Sequence, residues 1–149
     1  RRSELVGLEY DDIDFVNEGV KIVIKKSKTD QTGVGMTKAI PYFENNNYCP
    51  VISLKEWINL SKIEDGKIFD ISDKSVALKI KKYALLAGLE YKKYSGHSLR
   101  SGFATSTAEI GADERSIMAM TGHKTTQMVR RYIKEANIFK NNALNKIKI

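Results

Sequence analysis

The chain has 149 residues, one domain's worth, and 42% of them are hydrophobic, so we expect a packed core rather than a disordered chain. Its 25 lysines and arginines outnumber its 18 acidic residues, giving a net charge of +7. Such a surplus favours an acidic partner such as a polyphosphate, although a basic surface that merely keeps the protein soluble explains it equally well.

The few cysteines and histidines exclude several kinds of site. A single cysteine, Cys49, rules out an internal disulfide, fits a reducing compartment and is interpreted as a small core or turn residue. With only two histidines in separate segments, no zinc-site spacing can be assembled. No apolar run approaches the length of a membrane span, and no signal peptide is visible.

The first third of the chain predicts a short helix followed by a small antiparallel sheet. Residues 1–8 have a helical pattern, and the chain opens directly into it, as a fragment cut inside a helix would. Val20, Ile22 and Ile24 then alternate with other residues, as in a half-exposed strand. A long, polar, basic loop separates this strand from another expected over residues 36–42.

After Pro50 the pattern is helical to the end of the chain. Glycines and capping residues mark the expected helix limits: a start at Pro50, a start at Ser72 or Asp73 with an end at Gly88, an end at Gly111, a start at Asp113 with an end at Gly122, and a start at Thr125 or Thr126. The expected fold class is mainly α with a small three-stranded antiparallel β-sheet (α+β), and no interior linker divides it.

Two histidine motifs carry the candidate chemistry. In "GHSLR", His97 and Arg100 are three residues apart, so on a helix a proton donor or acceptor shares a face with a phosphate clamp. In "TGHKTTQMVRRYIK", a left-handed turn at Gly122 would aim His123 out of a tight corner, nine residues before Tyr132. Taken alone, a surface His–Arg pair and a core tyrosine explain these motifs better.

Two further motifs lie upstream. Lys28 stands in the polar loop of the sheet, where Lys25 and Lys26 are equally available. In "RRSELVGL", Arg1 and Glu4 are three residues apart, so the carboxylate can orient the guanidinium; an ordinary surface ion pair is the plain alternative.

In their order and spacing, "RRSELVGL", the "SKT" hairpin, "GHSLRSGFAT" and "TGHKTTQMVRRYIK" together resemble the catalytic domain of tyrosine recombinases, the phage-integrase family. The resemblance runs from residue 1 to about residue 140. It implies that residues 1–149 are a C-terminal catalytic domain whose N-terminal core-binding domain, with the first part of the catalytic domain, is absent.

The resemblance also implies a role for each matching residue. Arg1 and Arg100 match the two arginines that clamp the scissile phosphate, with Arg2 as the competitor to Arg1, and Glu4 matches the acidic residue that supports the first arginine. Lys28, or Lys26 in another register, matches the general acid toward the leaving 5′ oxygen. His97 matches a proton-transfer position, His123 a phosphate-binding position, and Tyr132 the nucleophile.

The implied activity is site-specific DNA recombination through a covalent 3′-phosphotyrosine, with no metal, cofactor or ATP. The implied partner is double-stranded DNA bound by a homo-tetramer, with this fragment monomeric on its own, away from membranes and in the cytoplasm, at a bacterial or phage-derived nucleoid. Three alternatives stay open: a type IB topoisomerase that relaxes DNA, a DNA-binding module whose site has lapsed, and an RNA- or partner-binding helical domain.

Overall fold

The computed structural model describes residues 1–25, 35–140 and 142–147. Within them lie the helices α1 (Arg2–Val6), α2 (Pro50–Ser61), α3 (Asp73–Leu86), α4 (Gly96–Glu109), α5 (Glu114–Thr121) and α6 (Thr126–Ala136), and the strands β1 (Ile13–Val16), β2 (Gly19–Ile24) and β3 (Met36–Pro41). The predicted fold class, mainly α with one three-stranded antiparallel sheet, is confirmed.

The chain forms two compact units, Arg1–Leu78 and Lys79–Ile149. The boundary between the units falls inside α3. Because this boundary lies in a helix, the sequence there has no stretch rich in the glycine, proline or serine that is typical of a linker. Each unit is described below by itself.

The first unit is built on the sheet, whose strand order is β1–β2–β3 with antiparallel neighbours. Val20 in β2 pairs with Phe15 in β1 and with Ile40 in β3. Its side chain is buried with Cys49 and Val51, where Pro50 begins α2. Cys49 has no exposed surface, which confirms its interpretation as a small core residue.

A second cluster in this unit joins the segment after α1 to α2 and to the loop after α2. Leu8, Ile58 and Ile68 are its buried members. The indole Nε1 of Trp57 donates a hydrogen bond to the carbonyl oxygen of Ile68 at 2.9 Å. This bond satisfies a backbone acceptor in a region without regular structure.

The second unit is a helical cluster in which α4, α5 and α6 pack on one another. Its buried members are small or β-branched: Ala104, Ala108, Ile117 and Val129. The larger apolar residues of α4 that have helical spacing, Leu99 and Phe103, are instead exposed. The buried face of α4 is therefore formed by its alanines. The positions of the larger apolar residues would have predicted a different buried face.

Among the described residues, no helix is both long enough and apolar enough to cross a membrane.

Gly19 is required where β2 passes β3. A Cβ at this position would lie 2.1 Å from the Ile40 carbonyl oxygen and 2.8 Å from the Pro41 Cα, which are backbone atoms that cannot rotate away. We therefore expect Gly19→Ala to lower the free energy of unfolding by at least about 3 kcal/mol, measured by urea denaturation.

Gly102→Ala is the matched control for this substitution. Gly102 lies inside α4, and a Cβ there would meet no heavy atom within 4 Å. This variant should raise the free energy of unfolding by about 1 kcal/mol, since alanine is the better helix former. Equal stabilities for the two variants would contradict the clash at Gly19.

Candidate active site

Arg1 and Glu4 make the contact that their spacing predicts. The Nη1 atom of Arg1 lies 2.6 Å from Oε1 of Glu4, across the first turn of α1. Arg2 points to another carboxylate, with its Nη1 3.1 Å from Oδ1 of Asp73. The two neighbouring arginines are thus held by different acids, and the one paired with Glu4 is Arg1.

The hairpin lysine lies outside the described residues, as do both of its candidate positions, Lys28 and Lys26. Lys25, directly before them, follows the last residue of β2 and is described. Its Nζ lies 2.8 Å from Oδ1 of the buried Asp12 and 2.9 Å from Oε2 of Glu9. The hydrogen bond to Asp12, and then the one to Glu9, raise the pKa of Lys25 above its ordinary value. Lys25 is therefore a fixed cation at the base of the hairpin.

His97 and Arg100 lie in the first turns of α4, one helical turn apart. Ser98 stabilises this helix start because its Oγ accepts a hydrogen bond from the Ser95 N–H at 3.1 Å. The His97 side chain is exposed and that of Arg100 is half-buried. The structure thus places a titratable ring and a permanent cation on one helix face, as the spacing predicts.

His123 follows the turn that ends α5. Gly122 has the predicted left-handed conformation, φ 66°, and its N–H donates to the Met118 carbonyl oxygen at 2.7 Å. The turn folds His123 back against the helix end, where the residue is only 8% exposed. Its Nδ1 lies 2.6 Å from Oγ1 of Thr121.

Tyr132 lies on α6 and is half-buried. Part of its surface packs against the cluster that includes Val129, as a core tyrosine would. Its hydroxyl nevertheless lies 3.3 Å from Oγ of Ser101 on α4, and its ring faces that of His123 with centroids 5.9 Å apart. The Ser101 hydroxyl also bonds to the His97 carbonyl oxygen at 3.0 Å, and while it donates there it can only accept from the phenol.

The two arginines before Tyr132 are engaged with carboxylates of their own. Arg130 Nε lies 3.2 Å from Glu114 on α5, and Arg131 Nε lies 3.5 Å from Glu135 one turn along α6. Both guanidiniums are largely exposed. Each contact directs its guanidinium to a carboxylate rather than to the phenol.

The second unit therefore brings together part of the predicted site. His123 and Tyr132 are in ring contact, and Tyr132 meets α4 at the residue that follows Arg100. Arg1 and Glu4 belong to the first unit. The roles of all these residues stay predictions.

Two residues in contact with this site, Ser101 and Thr121, are absent from the sequence prediction. Both hydroxyls bond to the carbonyl four residues back on their own helix, and each also contacts a predicted site residue. Only their positions in the sequence could have indicated them: Ser101 directly follows Arg100, and Thr121 stands two residues before His123.

The sequence model of the phage integrase family matches residues 1–137. The chain belongs to the phage integrase family. The resemblance seen in its motifs is thereby confirmed.

Among its relatives, an integrase/recombinase XerD homolog from Selenomonas ruminantium is 47% identical over 159 residues, covering 99% of this chain and 47% of that protein. The tyrosine recombinase XerC of Syntrophus aciditrophicus is 31% identical and covers 89% of this chain and 44% of that protein. The chain thus spans less than half the length of these two relatives.

Solved recombinase structures share the fold. The XerA recombinase superposes with a TM-score of 0.73 at 22% identity, covering all of this chain and 53% of XerA. The XerH site-specific recombinase, in a post-cleavage complex with its palindromic difH substrate, superposes with a TM-score of 0.70 at 20% identity, covering 95% of this chain and 42% of XerH.

The helix α5, which ends just before His123, is capped at its N-terminus by the carboxylate of Asp113. This charged cap makes the stability of the protein depend on pH. The Asp113 carboxylate accepts hydrogen bonds from the Ser116 hydroxyl, from the Ser116 N–H at 3.1 Å and from the Arg115 N–H at 2.9 Å. These bonds, led by that from the Ser116 hydroxyl, lower the pKa of Asp113 below its ordinary value of 3.8.

We expect Asp113→Asn to lower the melting temperature at neutral pH. A depressed pKa stabilises the fold above the unfolded-state pKa, and this stabilisation is lost as the pH falls through the folded-state pKa. The gap between the parent protein and the variant should thus be constant at neutral pH and shrink below about pH 4. Asp65→Asn, at an exposed loop aspartate, is the control; a gap that does not depend on pH would contradict the charged cap.

Proposed function

We propose that this chain is the catalytic part of a site-specific DNA recombinase that cuts and rejoins DNA through a covalent bond to Tyr132. The supporting observation is the contact of the Tyr132 hydroxyl with α4 directly after Arg100, beside the His123 ring. The hydroxyl of Tyr132 thus lies at the helix that carries the His–x–x–Arg motif.

The reaction is a phosphoryl transfer with balanced bonds and protons. The Tyr132 oxygen attacks the scissile phosphorus, the bond from phosphorus to the 5′ oxygen breaks, and a 3′-phosphotyrosine forms. His97 accepts the phenol proton, and the hairpin lysine, Lys28 or Lys26, protonates the leaving 5′ oxygen. The 5′ hydroxyl of another strand then attacks the phosphotyrosine and releases the tyrosine, so the bond energy is conserved and no ATP is needed.

Arg1 and Arg100 stabilise the negative charge that grows on the non-bridging phosphate oxygens, because guanidinium donors match that geometry. Glu4 orients Arg1 through the contact of 2.6 Å between their side chains. His123 adds a ring nitrogen to the same phosphate. This division of labour comes from the family resemblance.

Double-stranded DNA is the proposed partner, bound by a homo-tetramer on two duplexes. The net charge of +7 supports a polyanionic partner, and the XerH site-specific recombinase, which shares the fold, was crystallised with its palindromic difH substrate. Type IB topoisomerase activity uses the same tyrosine chemistry. The recombinase is favoured because the XerD homolog and XerC, both recombinases, are at least 31% identical to this chain.

Tyr132→Phe should abolish covalent capture of DNA, because it removes only the attacking oxygen. The probe is a library of nicked duplexes with randomised sequence around the nick, from which the short cleaved product diffuses away and leaves a denaturant-resistant adduct. Tyr94→Phe, at another tyrosine of the same unit, is the matched control and should retain the adduct. An adduct that survives in the Tyr132→Phe protein would refute the assignment of the nucleophile.

Arg100→Ala should slow adduct formation by roughly 10²- to 10³-fold, the typical cost of losing one preorganised donor to a transition-state oxygen. Arg100→Lys should recover only part of the rate, since an ammonium cannot bind two phosphate oxygens side by side. Single-turnover adduct formation at saturating DNA measures both. A rate for Arg100→Ala within a few-fold of that of the parent would contradict the phosphate clamp.

A further inference from the structure

The contact between Thr121 and His123 determines where the imidazole proton lies. Thr121 is the last residue of α5 and is buried. Its Oγ1 lies 2.6 Å from the Ile117 carbonyl oxygen and 2.6 Å from His123 Nδ1. The first distance is near the short end of the O–H···O range and the second is just below the N–H···O range, so a proton must lie in each of the two contacts.

The assignment of the two protons follows from the chemistry of the three atoms. A carbonyl oxygen only accepts, so the single hydroxyl proton of Thr121 points to Ile117; with no proton between them, two oxygens 2.6 Å apart would repel. The second contact then needs a proton from the ring. His123 Nδ1 is therefore protonated and donates to Thr121 Oγ1.

The surrounding turn holds the ring in this position. The left-handed Gly122 connects the two residues, and its N–H is bound to the Met118 carbonyl oxygen. The Tyr132 ring packs on the imidazole at 5.9 Å with a tilt of 43°. His123 is 8% exposed, so water has little access to replace the threonine.

We propose that Thr121 is a positioning residue that keeps the proton of His123 on Nδ1, so that Nε2 can donate a hydrogen bond to a phosphate only when the ring is an imidazolium. A neutral imidazole has one N–H, and Thr121 already binds it. His123 therefore contributes a positive charge together with its hydrogen bond, in contrast to a neutral donor. This consequence for the phosphate rests on the proposed function; the proton position does not.

Long-range ¹H–¹⁵N correlation spectra of the histidine rings test the proposal, because they distinguish protonated from bare ring nitrogens. The chain has two histidines, so a spectrum of His97→Gln leaves the signals of His123 alone. At alkaline pH, where imidazoles are neutral, we expect His123 to carry its proton on Nδ1 and not on Nε2. The opposite pattern in the parent protein would overturn the proposal without any variant.

Two substitutions of the threonine separate its acceptor from its bulk. Thr121→Val keeps the shape and removes the acceptor, so the major neutral form should change to the one protonated on Nε2. Thr121→Ser keeps a hydroxyl that can bond to Ile117 in the same way and should preserve the proton on Nδ1. An unchanged tautomer in the valine variant, folded by its backbone amide spectrum, would refute the role of Thr121.

This experiment is independent of DNA cleavage. If Tyr132→Phe still forms the adduct while His123 is protonated on Nδ1, the proposed function fails and the role of Thr121 stands. If the adduct is lost in that variant and His123 is protonated on Nε2, the reverse holds.

Discussion

The close approach of α6 to α4 is the constraint on which the candidate site depends. It takes place over Ala104 and Ala108, which are almost fully buried against Val129. Alanine lets two helices approach more closely than leucine or phenylalanine would, because the helix separation depends on the side chains at the contact. Because α6 packs closely on α4, the Tyr132 hydroxyl lies 3.3 Å from the Ser101 hydroxyl.

The same packing explains why α5 can present His123 beside Tyr132. Ile117 anchors α5 in the cluster formed by α4 and α6, and Glu114 at its first turn binds Arg130 on α6. The left-handed turn at Gly122 then reverses the chain within one residue of the helix end. The position of the imidazole is thus set by packing between helices and by a backbone turn, and only the turn is encoded locally in the sequence.

Much of this arrangement could be predicted from the sequence, because the features concerned are local. The strand of Val20 and Ile22, the helix starts at Pro50 and Asp113 and the turn at Gly122 each depend on residues near one another in the chain. The motif order likewise indicated the family. The contacts of Ser101 and Thr121 could not be predicted, since a hydroxyl on a helix reveals its partner only after the helices are packed.

The buried face of α4 shows a second limit of the sequence pattern. The helical spacing of Leu99 and Phe103 suggests an apolar face, but both are exposed and the contact to α6 is made by alanines. A search for hydrophobic periodicity gives most weight to large apolar side chains. The contact between α4 and α6 instead requires small ones.

The two helix hydroxyls differ in how firmly they hold a proton, and their distances decide the difference. At 2.6 Å from both partners, Thr121 cannot turn its proton away from Ile117 without bringing two bare oxygens into repulsion. Ser101 lies 3.0 Å from the His97 carbonyl oxygen, at the upper limit of the usual O–H···O distance, and 3.3 Å from the Tyr132 hydroxyl, beyond that limit.

The proton of Ser101 can therefore swing from the carbonyl to Tyr132 once the phenol has lost its own proton. The His97 carbonyl tolerates this loss, because inside α4 it still accepts the backbone N–H four residues on. While it donates to the carbonyl, Ser101 accepts from the phenol, and in the proposed reaction it can turn to donate to the phenolate. The hydroxyl of Thr121 has no such freedom. Thr121 keeps its proton on the Ile117 carbonyl oxygen, whereas Ser101 can turn its proton from the His97 carbonyl oxygen to Tyr132.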